Sequence, residues 1–242
     1  ILLLFVIVSL SSSQLPVNFL SEVQGLRPQQ AYVITAAIAA GQLVLLPLMA
    51  LVLNIAWIDS RVVSFVGMAL ILTACLGDAY VTSAWNVGQF FLWQGLQAVG
   101  EPMVVMPLLM MATNTVKDPS EGPFASALVN GPRSLAEATG VWLTQVIMRK
   151  RGTLHYSRLV DQFGERMSGL TQVRGLGAPS GASLPGGGLN LSVISRSLQT
   201  EAVVMTLSDT FLIIGAMTVS MILILLVLPE RTYPPRIVFA KD

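Results

Sequence analysis

Charge is what this sequence has least of. Lys, Arg, Asp and Glu make up 11% of its 242 residues, where a soluble domain carries about a quarter. Fourteen basic side chains stand against thirteen acidic ones, for a formal net charge of +1. That leaves no basic surface for a nucleic-acid partner, and this class of function is set aside. Cysteine and histidine occur once each, as Cys75 and His155. A single thiol excludes an internal disulfide framework and a cysteine-built metal site, and a lone histidine in a polar stretch reads first as a solvated side chain. The sequence also has no G-x-S-x-G, H-E-x-x-H or G-x-x-x-x-G-K-[ST], and Gly186-Gly187-Gly188 is followed by no phosphate-loop lysine. No enzyme, cofactor, metal or ATP-driven step is therefore expected. A membrane-embedded enzyme would gather acids or histidines at one depth, and here they are isolated.

Apolar residues supply what charge does not. They form 53% of the chain, with a mean hydropathy of +0.70, the composition of an all-α membrane protein. A hydrocarbon layer of ~30 Å takes roughly 20 apolar residues per helix. Six runs reach that length: Ile1 to Phe19, Ala31 to Trp57, Val62 to Val81, Val87 to Ala112, Phe124 to Met148, and Ser208 to Pro229. The first has no initiator Met, basic leader or A-x-A site, so it does not read as a signal peptide; the chain is expected to start inside a longer protein. Residues 1–148 thus carry five transmembrane helices, 149–206 an extramembrane loop flanked by short helices, 207–229 the sixth helix and 230–242 a polar tail. The loop reading rests on polarity and on the Gly, Ser and Pro of Gly175 to Gly188. Ser208-Asp209 supplies N-cap residue types for the sixth helix, Lys117 to Pro123 is a dense set of helix stops, and Trp85 suits an interfacial anchor.

Six helices put both ends on one side. Charge does not say which side: Arg61, Lys117, Arg231, Arg236 and Lys241 fall on one face, and Arg27, Arg149, Lys150, Arg151 and Arg158 on the other.

An ionisable group at the middle of a bilayer costs roughly 2.5–3.5 kcal/mol on insertion scales, so each one requires a reason. Helical spacing places Gln94, Gln97 and Glu101 on one face of the fourth helix. This stripe either lines an aqueous cavity, where the carboxyl can take up and release a proton, or makes interhelical hydrogen bonds that only hold the bundle together. Pro102 and Pro107 favour a bend in the same helix. Arg133 and Glu137 lie four residues apart on the fifth helix, with Asn130 a turn earlier, and are expected to face the bundle interior as a gating pair or a static staple. Asp78, near a helix end, can reach the interface and is given little functional weight. Ala36-Ala37-Ile38-Ala39-Ala40-Gly41 permits close helix approach. Met103, Met106, Met110 and Met111 offer either a deformable wall for varied ligands or ordinary core packing.

These fragments, in this order, resemble the C-terminal part of the major facilitator superfamily, in particular its EmrB/QacA-type fourteen-helix multidrug:proton antiporters. Leu15-Pro16-Val17-Asn18-Phe19-Leu20 with Gly25-Leu26-Arg27-Pro28 is similar to that family's L-P-x-x-L-Q and G-x-S-P. Ile58-Asp59-Ser60-Arg61 resembles its V-D-P-R, and the span from Gln97 to Pro107 keeps its polar-to-proline spacing. Arg133 with Gly140 partly fits R-x-x-x-G-x-x-G, Leu154-His155 fits L-H-H, and Ser208-Asp209-Thr210-Phe211 fits the D-x-F of the last helix. Val52 and Leu53 depart from the signature loop's Gly and basic residue, and Glu137 from a Gly. The resemblance implies a six-helix C-terminal bundle working by alternating access against N-terminal helices of the same full-length protein, in a bacterial inner membrane, with protons driving efflux of amphipathic small molecules. It implies a cytoplasmic tail, a periplasmic 149–206 loop, a cytoplasmic gate at Asp59 and Arg61, cavity residues among Glu101, Gln97, Gln94, Asn130, Arg133 and Glu137, and a periplasmic adaptor protein as a possible partner. The departures at Val52 and Leu53 favour a second reading, a non-transporting scaffold that uses the fold to bind a partner.

Overall fold

In the computed structural model, residues 1–55, 57–114, 122–175 and 191–227 are described. Among them every element is a helix: α1 (Leu2–Glu22), α2 (Pro28–Ala31), α3 (Val33–Leu53), α4 (Ser60–Asp78), α5 (Val87–Asn114), α6 (Gly122–Gly175) and α7 (Leu191–Val227). The chain is thus an all-α protein with the helix lengths of a membrane bundle. Among the described residues, four stretches are long and apolar enough to cross a membrane: Leu2–Glu22, Pro28–Leu53, Ser60–Asp78 and Ile194–Val227. The other two expected spans, in α5 and α6, are not among these four. Both are long helices that carry polar residues, Gln89, Gln94, Gln97 and Glu101 on α5 and Asn130, Arg133, Glu137 and Gln145 on α6.

Local chemistry sets the turns. Gly25 takes a φ of +64°, the left-handed conformation a side chain disfavours, and lets the Leu26 amide reach back to the Leu20 carbonyl at 3.0 Å. Pro28 opens α2 at a position with no intrahelical N–H bond to lose. Asp59 caps α4, its carboxylate accepting from the Arg61 amide at 2.9 Å. Trp85, expected as an interfacial anchor, packs edge-on against Phe90 with ring centroids 5.2 Å apart, and Phe90 meets Phe19 the same way. Gln24 closes this end of the bundle by donating to the Ser83 and Trp85 carbonyls, both at 2.9 Å.

The main departure from expectation is in α6 and α7. Residues from Arg149 onward do not form separate short helices; they continue α6 to Gly175, and α7 begins at Leu191, well before Ser208. Polar residues leave a bilayer but do not stop a helix, and residues 149–174 contain no proline. At 1.5 Å per residue the 54 residues of α6 reach about 80 Å, well beyond a ~30 Å hydrocarbon layer. Of the Gly175 to Gly188 stretch all but Gly175, together with the polar tail and most of the α5–α6 connection, lies outside the described residues.

The helices form an arc, α6–α7–α4–α5–α3, with α1 packed chiefly between α6 and α7 and also touching α5 and α3. The core is one cluster in which Phe5, Phe19 and Leu20 of α1 meet Met68 and Ile71 of α4, Phe90 of α5 and Leu207 and Phe211 of α7. The closest crossing is between α4 and α5. A Cβ on Gly67 would sit 2.7 Å from the Met103 Cβ and 2.8 Å from the Gly100 carbonyl, and one on Gly100 would sit 2.7 Å from the Gly67 carbonyl. Two glycines therefore let the backbones touch, the small-residue packing that bilayers favour. The expected tight face of α3 behaves otherwise: Ala36, Ala37, Ala39 and Ala40 are exposed, as are Leu43, Val44 and Leu51. This apolar outer surface suits a hydrocarbon solvent.

Candidate functional site

Glu101 lies halfway along α5, and the fold surrounds its carboxylate with donors from three helices. Ser9 of α1 donates to Oε1 at 2.6 Å. Gln97, one turn earlier on α5, donates to the same oxygen at 2.9 Å. Gln42 of α3 donates to Oε2. The residue is 9% exposed, and that exposure faces a cavity of about 430 Å³. Apolar side chains including Phe5, Val6, Leu46, Val105 and Met106 form most of the wall, and Ser9, Gln42, Glu101, Arg133 and Glu137 supply the polar groups. An apolar chamber with a few convergent polar groups is the usual form of a small-molecule site.

The chamber brings together residues that the sequence places far apart. Pro102 contributes to its lining, and α5 continues as one helix through both Pro102 and Pro107. Arg133 and Glu137 pair at 3.0 Å, as their spacing requires, and both border the cavity. Their side chains remain 55% and 43% exposed, so the pair sits at the mouth and is not locked inside. Asn130 is exposed on the same helix one turn away and is not part of the lining. Of the four methionines on α5, Met106 lines the wall.

Gln94 and Gln97 share a face of α5 as the spacing predicts, but they serve different partners. Gln97 turns to Glu101, whereas Gln94 donates to Asp78 Oδ2 at 2.7 Å. Asp78 is 1% exposed and Gln94 fully buried. Asp78 does not reach the interface as expected: Trp93 and Gln94, in the second turn of α5, close over the end of α4 and shut it in. A carboxyl at i and an amide at i+16 across a short reversal was the signal available in the sequence.

Asp59 and Arg61, expected at a gate, do not pair with each other. Asp59 caps its own helix, while the Arg61 guanidinium donates to the Leu225 carbonyl near the end of α7 at 3.0 Å. That contact ties the α3–α4 turn to α7 through a cation at a helix C-terminus. Val52 and Leu53, where the resemblance breaks, end α3, and Leu53 is buried.

His155, expected to be solvated, is instead held between helices. Its Nε2 lies 2.8 Å from Asp209 Oδ2, and Arg151 approaches the same oxygen at 3.4 Å. Asp209 is in mid-helix and not at an N-cap, because α7 starts earlier than its apolar run. Ser208 beside it donates to the Ala79 carbonyl at 2.6 Å. Among the described residues no group of three or more His, Cys, Asp or Glu side chains could hold a metal ion.

No known protein family and no curated protein sequence matches this chain.

Proposed function

We propose that this chain is the C-terminal helical bundle of a secondary active transporter that exports amphipathic small molecules against protons. The observation that carries the reading is a carboxylate buried at mid-helix with three neutral donors and, among the described residues, no basic side chain bonded to it, opening on an apolar chamber. Neutral donors can bond either the charged or the protonated carboxyl after small rotations, whereas a fixed cation would hold it ionised. A site of this kind exchanges its proton for a cationic substrate without leaving a charge unpaired in the membrane.

In this reading α5 and α6 complete a set of six spans, with Glu101 of α5 and Arg133 and Glu137 of α6 on the chamber. The Arg133–Glu137 pair at its mouth is in the right place to break and re-form as the bundle rocks, and the Arg61–Leu225 contact fastens the start of α4 to the end of α7. The resemblance to the EmrB/QacA-type antiporters supplies the direction of transport, the bacterial inner membrane, the N-terminal helices against which this bundle would move, and a periplasmic adaptor as a further partner. The scaffold reading draws on Val52 and Leu53 and predicts no transport at all.

The test is efflux of a fluorescent lipophilic cation from cells expressing the full-length protein, with and without a protonophore. Efflux that collapses with the protonophore, and that slows by roughly tenfold or more in Glu101→Gln, a loss of about 1.4 kcal/mol, supports the antiporter. A wild type silent across a broad substrate panel, with insertion verified, leaves the scaffold as the better account.

A further inference from the structure

A second carboxyl is buried in this bundle, and the exchange described above does not use it. Asp78 closes α4, and the fully buried Gln94 of α5 bonds one of its two oxygens. The other two acceptors of the pair, Asp78 Oδ1 and Gln94 Oε1, are also buried and have no hydrogen-bond partner among the described residues. Two oxygens that can only accept, belonging to one bonded pair of side chains and both unpaired among the described residues, are an anomaly in a packed interior. One added hydrogen between them removes it.

Among the described residues no other side chain bonds either oxygen. Cys75, one turn earlier on α4, is buried. From α5 the facing polar group is Gln94 itself. On the α7 side Ser208 is spent on the Ala79 carbonyl, and Asp209 is engaged by His155 and Arg151 of α6. Glu101 is two turns of α5 away with donors of its own. Among the described residues, no Lys, Arg or His pairs with Asp78.

We propose that Asp78 and Gln94 form a proton-binding site, a neutral acid–amide pair in which Asp78 Oδ1–H donates to Gln94 Oε1 while Gln94 Nε2–H donates to Asp78 Oδ2. The two bonds close a ring, and every polar atom of the pair is then satisfied. The site sits at the end of α4, two residues from the exposed Tyr80, under the turn that Gln24 fastens. Separating α4 from α5 at this end would hydrate the acid and release its proton. The inference stands on the packing of α4 against α5 and holds whether or not the protein transports.

Infrared spectroscopy of the full chain in lipid nanodiscs tests it. At pH 7 an exposed carboxyl, with a pKa of about 4, is ionised and gives no acid C=O band. The proposal requires such a band, shifted in D2O, retained in Glu101→Gln and lost in Asp78→Asn. Asn keeps both ring hydrogen bonds, so Asp78→Asn should melt within a degree or two of wild type. Should that variant not accumulate, Gln94→Leu carries the test: the acid band must move as its amide partner is lost. Absence of the band from the Glu101→Gln protein, or a band that neither substitution at this pair alters, overturns the proposal.

Discussion

At the scale of single residues, Glu101 illustrates what a buried carboxylate requires. Its two oxygens collect donors from α1, α3 and α5, so cutting the side chain back removes the acceptor of three hydrogen bonds. Each orphaned buried polar group costs about 1–3 kcal/mol in proteins generally, and interhelical bonds in membranes average nearer 0.6. Glu101→Ala is therefore expected to destabilise the bundle by about 2 kcal/mol in denaturant unfolding from detergent micelles. Glu101→Gln keeps an acceptor oxygen and should lose less than half as much. Equal losses would mean that the charge, and not the hydrogen-bond geometry, holds the three helices to this point. The polar stripe itself was legible in the sequence, because a 3.6-residue period puts Gln94, Gln97 and Glu101 on one face. Their partners were not: Ser9 and Gln42 are 92 and 59 residues from Glu101, and nothing in the local pattern of α1 or α3 marks them.

At the scale of elements, the α4–α5 contact is decided by two glycines. Gly67→Val has no room, since its Cβ would already stand within 3 Å of Met103, of the Gly100 carbonyl and of Val104. Overpacking of this kind costs typically 1–3 kcal/mol, so the variant should melt several degrees lower or fail to accumulate. Gly95 lies on the same helix as Gly100, but nothing comes within 4 Å of its hypothetical Cβ. Gly95→Ala should be neutral or stabilising by up to about 1 kcal/mol from helix propensity. If both glycine variants behaved alike, close backbone approach would not be what joins these helices. The apolar runs located the five long helices that begin or lie within 1–148 to within a few residues at most ends, because hydropathy and helix coincide inside a bilayer. Where they part, at Met148 and Ser208, hydropathy marks a change of solvent and the helix continues.

The whole molecule has two ends of different character. One carries the α3–α4 turn, where Trp57 is 83% exposed and Arg61 binds the last turns of α7. From the other project the polar lengths of α6 and α7, joined at their base by Asp209 with His155 and Arg151. If α6 and α7 cross the bilayer between those ends, the two ends face opposite compartments, and the proposed antiporter function requires the Trp57 end to be cytoplasmic. The chain suits a labelling test, since its single thiol, Cys75, is 1% exposed and should stay silent to a membrane-impermeant maleimide. Trp57→Cys should then react only in inverted vesicles, and Arg158→Cys, on the exposed surface of α6, only in intact cells. Reaction of both from the same side would leave an odd number of crossings between residues 57 and 158 impossible; since α4 accounts for one crossing, either α5 or α6 would then fail to span, and the Glu101 chamber could not open alternately to two compartments.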